Sequence, residues 1–163
     1  MIVVSDTTPL NYLVLIGAID VLPRLFNEVY VPPAVLRELS HANAPAIVRD
    51  WVTSPPAWLK VETPVARLPS TAGLDAGEAD AISLAKERHI TDVLIDEYRG
   101  RKVAAEEGLF ALPTLAILER AAEQGLIDLH AALGALAATT YRVRPELIEA
   151  ALRREAERKR SRD

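Results

Sequence analysis

The chain contains no cysteine and few aromatic residues, which make up 5% of its 163 residues. The lack of thiols excludes disulfide bonds and thiolate metal sites, so any metal must be bound by oxygen or imidazole ligands. The sequence has no apolar run of the roughly 20 residues that a membrane-spanning helix needs, and no basic lead typical of a secretory signal precedes its first acid. We therefore expect a soluble cytoplasmic protein with no membrane segment.

Charge is unevenly distributed along the sequence. The formal net charge of −4 comes from 19 Lys or Arg and 23 Asp or Glu residues, which argues against a nonspecific coat for nucleic acid. Residues 153–163 instead carry six Arg or Lys against three Asp or Glu. An acidic body with a basic end can still contact a polyanion locally, and we expect the residues beyond about 153 to be solvated or frayed.

Short apolar runs alternate with helical patterns along the chain. Continuous apolar strands separated by helices predict an α/β fold, with a parallel sheet covered on both faces. We assign residues 1–140 to the main domain, and residues 141–163 to a C-terminal helix and basic tail that pack on or extend from that domain. Strands are predicted near 2–6, 28–31, 58–62, 92–96 and 109–112, and helices near 9–17, 19–26, 33–40, 44–53, 75–88, 98–107, 113–124, 128–138 and 145–158.

Several residues indicate where these helices begin and end. Thr8 directly before Pro9 is typical of an N-cap followed by proline at the first helical position. Gly108 and Gly125 each follow a helical stretch and suit left-handed C-caps. Residues 63–73 have little regular pattern and are predicted to form a loop.

Two of the predicted strands end on an acid. The runs IVVSD and VLIDE place Asp6 and Asp96 at the carboxyl ends of their strands. In an open parallel sheet, ligands bind in the crevice beyond these ends. Either acid alone could simply cap the following helix, but the pair favours a site.

Two further acids lie on predicted helices. Glu78 shares a helical face with Ile82, whereas Asp80 lies about 200° around the helix axis. An unpaired buried charge is very costly, so Glu78 either reaches the helix N-terminus or an arginine, or it belongs to a site. Glu38 falls at the margin of an apolar helical face, where a side chain can reach a cleft, although alone it would most often be a surface residue.

Four carboxylates without a nearby Lys or His would repel one another and raise their own pKa values unless a cation neutralised them. Oxygen ligands alone suit a hard divalent ion, Mg²⁺ or Mn²⁺. In such sites the ions activate a water and stabilise the attacking and leaving oxygens of a phosphodiester. The sequence therefore indicates metal-assisted phosphodiester hydrolysis, with these catalytic and metal-binding residues: Asp6, Glu38, Glu78 and Asp96.

Four stretches, VVSDTTPL, VYVPPAVLREL, LDAGEADAISLA and VLIDEYRGRKVAAEEGL, together resemble the PIN-domain family of prokaryotic nucleases. The resemblance covers residues 1 to about 130, and the chain is similar to an uncharacterised branch of that family and to toxins of the virulence-associated protein C type. It implies a three-layer α/β/α fold with a roughly five-stranded parallel sheet, and Mg²⁺- or Mn²⁺-dependent endoribonuclease activity. It also implies homodimers and, often, service as the toxin of a toxin–antitoxin pair. The family's acids fall on Asp6, Glu38, Glu78 and Asp96, with a hydroxyl at Thr7.

Two positions of the acidic set stay open. Either Glu78 or Asp80 can be matched to the family's helix acid, and the helical-face argument favours Glu78. Glu97 stands where members of the branch often have a second aspartate, so it is an additional candidate ligand.

Three cations directly follow Asp96 in the sequence. They are candidates for binding substrate phosphate, together with the hydroxyl of Thr7; the alternative is an ordinary helix surface with pairs spaced four residues apart. These cations are Arg99, Arg101 and Lys102.

Three classes of function are compatible with the sequence. The first is the metal-dependent ribonuclease, with RNA, an antitoxin protein and a second copy of the chain as partners. The second is a catalytically inactive PIN-like scaffold that binds RNA or a protein. The third, an aspartate-based phosphatase or receiver-type domain, is disfavoured because SDTTP lacks a second acid and no lysine follows the late strand.

Overall fold

The computed structural model describes residues 1–162, which include a five-stranded parallel sheet and nine α-helices. The strands are β1 (Ile2–Ser5), β2 (Glu28–Val31), β3 (Leu59–Val61), β4 (Asp92–Leu94) and β5 (Phe110–Leu112). The helices are α1 (Thr7–Leu15), α2 (Leu22–Leu25), α3 (Pro33–Leu39), α4 (Ala46–Thr53), α5 (Ala76–Glu87), α6 (Tyr98–Glu106), α7 (Thr114–Glu123), α8 (Leu129–Ala137) and α9 (Pro145–Arg162).

The order of the strands is β3-β2-β1-β4-β5, and all neighbours run parallel. The chain leaves β1 towards β2 and β3, and later returns to the other side of β1 to add β4 and β5. Because crossovers between parallel strands are right-handed, opposite directions of travel put the connecting helices on opposite faces of the sheet. The predicted three-layer α/β/α fold is confirmed.

The centre of the sheet is buried because both faces are covered. Val4 on β1 lies opposite Tyr30 on β2 and Val93 on β4. Val4 and Val93 are fully buried and pack in one cluster with Ile82 and Ala85 of α5. Packing of this kind holds each strand in a fixed position along its axis. It therefore also fixes the position of the residue that follows each strand.

The chain divides into two compact units, residues 1–114 and the residues from 115 onward. The first contains the whole sheet and α1 to α6, and the second contains most of α7 together with α8 and α9. The predicted division after residue 140 stays a prediction. None of the helices within residues 1–162 has the length and apolar character that a transmembrane segment requires.

The start of α1 differs from the sequence prediction. Thr8 is not the N-cap: the helix begins at Thr7, and Asp6 is its extended N-cap residue. The Asp6 N–H still donates to the Leu94 carbonyl of β4 at 2.9 Å, so the chain passes directly from the sheet into α1 at this residue. The left-handed caps predicted at Gly108 and Gly125 are confirmed, with φ of 78° and 72°.

The prediction that the basic end is solvated or frayed is confirmed for solvation only. Residues 153–162 are mostly exposed, but α9 continues to Arg162 without fraying. Arg154 forms two hydrogen bonds of 2.8 Å with Glu119 of α7, and Glu155 is only 7% exposed. The sequence pattern missed these contacts because the partners lie more than 30 residues apart.

Candidate active site

The acids that follow β1 and β4 lie where the strand order reverses. β2 is on one side of β1 and β4 is on the other, and in parallel α/β sheets this reversal opens a crevice beyond the carboxyl ends of the strands. Asp6 follows directly after Ser5 of β1, and Asp96 lies two residues after Leu94 of β4. Both acids therefore start at the mouth of the same crevice.

Asp6 and Glu38 converge on the first turn of α5. A Cβ built on Gly77 would lie 2.9 Å from Asp6 Oδ1 and 2.9 Å from Glu38 Oε1. The other oxygen of Glu38 accepts a hydrogen bond of 2.5 Å from the Thr7 hydroxyl. Because Gly77 has no side chain, the carboxylates of Asp6 and Glu38 can both occupy the space beside it.

Glu78 extends from α5 towards α6. It is only 5% exposed, as its helical face predicted. A Cβ built on Gly100 of α6 would overlap Glu78 Oε2, so this carboxylate occupies the place of the missing side chain. At the start of α5, Asp75 accepts a hydrogen bond of 2.8 Å from the Glu78 N–H and caps the helix.

Two oxygens in this crevice are buried and have no hydrogen-bond partner within residues 1–162: Asp6 Oδ1 and Glu78 Oε2. Buried polar atoms in proteins are nearly always hydrogen-bonded, and an exception requires an explanation such as a bound ion. An unpaired carboxylate oxygen can be satisfied by a proton or by a cation.

Burial raises the pKa of Asp6 to about 8. The dominant cause is loss of hydration of the charged form, and only the backbone N–H of Thr7 opposes it. The negative charges of Asp75, Glu38 and Asp96 raise the pKa further. Asp6 therefore binds a proton at neutral pH unless a positive charge replaces it.

Burial likewise raises the pKa of Glu78, to about 9. Loss of hydration is again the largest cause, followed by the hydrogen bond between its side chain and that of Asp75. The charges of Asp75, Asp6 and Glu97 raise this pKa further. The acids from four separate segments thus act on one another electrostatically.

Asp96 is oriented by the beginning of α7. Its Oδ1 accepts a hydrogen bond of 2.9 Å from the Thr114 N–H, and its Oδ2 accepts one of 2.6 Å from the Thr114 hydroxyl. Thr114 is fully buried, so this contact fixes the carboxylate rigidly. Asp96 does cap a helix, but it caps α7 and not the helix that directly follows it.

The two additional candidate ligands have different surroundings. Asp80 forms an ion pair of 2.7 Å with Arg67, and its charge is not among those that raise the pKa of Asp6 or of Glu78. Glu97 is the exposed N-cap residue of α6, and its charge acts on Glu78. The geometry favours Glu78 over Asp80 as the helix acid and leaves Glu97 at the rim of the crevice.

The predicted phosphate-binding cations all lie on the first turns of α6. Arg101 donates a hydrogen bond of 3.1 Å to the Asp96 carbonyl, which places its guanidinium group at the crevice. Arg99 reaches the backbone near Gly73, where a Cβ would lie 3.2 Å from Nη2. Both Arg99 and Lys102 are exposed.

Sequence reasoning missed two residues of the site. Asp75 stands three residues before Glu78, which is the spacing of a helix-capping box, so a signal for it was present. Thr114 lies 18 residues after Asp96, and no local pattern links the two.

The chemistry of the donors fits a hydrated divalent cation. Within residues 1–162 no three Asp, Glu or His side chains form a ready-made ligand group. Mg²⁺, however, usually keeps several waters and is bound through one or two carboxylates. Two buried and unpartnered carboxylate oxygens, with further acids at the rim, meet this requirement.

A parallel sheet with helices between its strands, and with an acidic crevice at the carboxyl ends of its central strands, defines an α/β protein. The family model DUF3368, a PIN domain, matches residues 2–157. The chain belongs to the PIN-domain family, and the resemblance drawn from the sequence is confirmed at this level. PIN domains are in general metal-dependent nucleases. No curated protein and no solved structure matched the chain.

The raised pKa values predict how the stability of the metal-free protein depends on pH. Between its ordinary pKa of 3.8 and about 8, Asp6 is protonated in the folded state and ionised in the unfolded state. The folded state then binds more protons, so the free energy of unfolding falls as the pH rises, by about 1.4 kcal/mol per pH unit for each such proton.

Urea unfolding in EDTA across this pH range measures the slope. Asp6→Asn should flatten it, because the amide does not titrate, and saturating Mg²⁺ should flatten it in the wild type. An identical slope in wild type and Asp6→Asn would show that Asp6 is not a source of the pH dependence.

Proposed function

We propose that this chain is an endoribonuclease that depends on Mg²⁺ or Mn²⁺ and hydrolyses RNA phosphodiester bonds. The observation that carries the proposal is the pair of buried, unpartnered oxygens of Asp6 and Glu78 in the crevice of a PIN domain. We propose the same residues as catalytic and as metal ligands: Asp6, Glu38, Glu78 and Asp96.

A divalent cation in this crevice would supply an activated water and would neutralise charge on the phosphodiester oxygens. Hydrogen bonds within the protein already orient two of the proposed ligands. The Thr7 hydroxyl donates to Glu38 Oε2, so Oε1 is left to point, like Asp6 Oδ1, into the space beside Gly77. Thr114 fixes both oxygens of Asp96. Asp6 and Glu78 must release the protons that their raised pKa values hold, so cation binding should release protons.

The test of this function is cleavage of a labelled single-stranded RNA by the purified protein. We expect cleavage with Mg²⁺ or Mn²⁺ and none in EDTA. Cleavage that persists in EDTA, or that is equal for variants of the four acids, would contradict the proposal.

We propose that the cations of α6 bind the phosphates that flank the scissile bond. Replacing Arg99 and Lys102 by Ala should weaken RNA binding and reduce the slope of log affinity against log salt by about 0.7 for each phosphate that the protein no longer neutralises. Lys86→Ala is the matched control, because Lys86 lies in the last turn of α5 and pairs with Glu107. Equal slopes for wild type and the double variant would remove these cations from the RNA site.

We further propose that the protein acts in the cytoplasm as a homodimer, and as the toxin of a toxin–antitoxin pair. The support is the resemblance to toxins of the virulence-associated protein C type together with membership of the PIN family. A neighbouring gene for a small DNA-binding protein, and growth arrest that its co-expression relieves, would test this role. Light scattering of the purified chain tests the dimer.

A second candidate function is an inactive PIN-like scaffold that binds RNA or a protein. Both oxygens of Asp96 accept hydrogen bonds from Thr114, and this favours the scaffold because that carboxylate is already hydrogen-bonded without a cation. The two functions differ in one measurement: a scaffold binds RNA with the same affinity with and without divalent metal, and does not cleave it.

A further inference from the structure

A cavity of about 470 Å³, widely open to solvent, lies directly beside the acidic crevice and shares Thr7 and Glu38 with it. This volume is within the range of about 300–1,000 Å³ that is typical of small-molecule sites. The proposed hydrolysis uses the acids at one side of the cavity and leaves the rest without a role.

Polar side chains without partners line the rest of the cavity. Asn11, Asn43 and Arg37 all face it, and their side chains form no hydrogen bond or ion pair with other residues in the described part of the chain. The Asn43 N–H donates to His41 Nδ1 at 3.0 Å, which leaves the Nε2 atom of this ring for a hydrogen bond with a ligand. The cavity therefore presents amide donors and acceptors, one imidazole and one guanidinium group.

The rest of the lining is small and apolar. It includes Ala34, Ala44 and Ala76, whose small side chains leave room for a flat ring. Proteins that read single-stranded RNA combine such packing surfaces with polar groups that bind the edges of splayed-out bases. An Asn amide presents a donor and an acceptor side by side, which matches a base edge in bidentate fashion.

We propose that this cavity binds one unstacked nucleotide of the RNA, next to the phosphodiester that the acids hydrolyse; the inference rests on the proposed function. The base packs against the alanines, and the amides of Asn11 and Asn43 read its edge. The guanidinium group of Arg37 binds a phosphate, a contact that arginine makes with bidentate geometry. Because Thr7 and Glu38 border both the cavity and the crevice, the bound nucleotide adjoins the cut site and gives the cleavage a base preference.

The experiment compares two cavity variants with a matched control. Ala44→Leu fills the cavity, and Asn43→Ala removes one amide from an exposed position, where a loss of folding is not expected. Ala42→Leu adds the same side chain to the same loop, at an exposed residue outside the cavity lining. Binding of AMP, GMP, CMP and UMP to the metal-free protein is measured by NMR titration, and cleavage with Mg²⁺ or Mn²⁺ is measured on oligoribonucleotides randomised at one position.

We expect the wild type and Ala42→Leu to bind one of the four nucleotides roughly tenfold more tightly than the weakest, the discrimination that one bidentate base contact gives. Ala44→Leu and Asn43→Ala should lose most of this difference, and the base preference of cleavage should fall in parallel. Equal binding of all four nucleotides by the wild type, or an unchanged preference in both cavity variants, would overturn the inference.

The two levels of the proposal fail separately. If the wild type discriminates nucleotides through the cavity but never cleaves RNA, the cavity assignment stands and the hydrolytic function falls. If it cleaves RNA with no base preference, and Ala44→Leu cleaves as well as Ala42→Leu, the hydrolytic function stands and the cavity assignment falls.

Discussion

Replacing Asp6 by Asn is expected to abolish metal-dependent RNA cleavage while the fold stays intact. The loss should exceed about 100-fold, since removal of a group that only supports a metal ligand already costs about 10–100-fold. Asp6 is 3% exposed, and its charged form is disfavoured by burial. The neutral amide avoids that desolvation, so the free energy of unfolding of the metal-free protein should hold or rise near pH 8.

Asp96→Asn should lose cleavage to a similar extent. Its amide oxygen can accept from the Thr114 N–H, and its NH₂ group can donate to the Thr114 hydroxyl, so the contact with α7 is retained. Asp92→Asn is the matched control, because Asp92 is the first residue of the same strand, β4. It therefore lies at the amino end of the strand, away from the crevice. Wild-type cleavage by both Asp6→Asn and Asp96→Asn would place the reaction elsewhere or in a contaminant.

Gly100→Ala is expected to lower metal affinity and cleavage by about 10–100-fold, although it changes no acid. The new Cβ would overlap Glu78 Oε2 and lie 3.0 Å from Ile95 Cγ2. The Glu78 carboxylate must therefore leave its present position against Gly100. Because the overlapping atom is the end of a flexible side chain, overpacking should cost no more than about 1–3 kcal/mol, partly offset by the gain of about 1 kcal/mol from replacing a helical glycine by alanine.

Gly134→Ala is the control for the gain in helix stability that comes from replacing glycine by alanine. Gly134 lies within α8, and a Cβ there would meet nothing within 4 Å. This variant should gain up to about 1 kcal/mol of unfolding free energy and cleave RNA like the wild type. Isothermal titration with Mn²⁺ and thermal unfolding measure both effects. If Gly100→Ala binds Mn²⁺ as tightly as Gly134→Ala does, Glu78 is not a ligand.

The sequence alone determined the strands, the helices and the face on which Glu78 lies. These features follow from local periodicity: an apolar run of four or five residues between helices reads as a buried parallel strand, and residues four apart share one face of a helix. The same reasoning placed Asp6 and Asp96 at the carboxyl edge of the sheet, because parallel strands end at a common edge.

Only the tertiary structure decided how these acids are oriented. The contact between Asp96 and Thr114, and the space left for Glu78 by Gly100, join residues that are 18 and 22 positions apart. Local propensity carries no information on such pairs, because their distance is set by how the helices pack on the sheet. The raised pKa values of Asp6 and Glu78 likewise arise from burial and from charges on other elements, which exist only once the chain has folded.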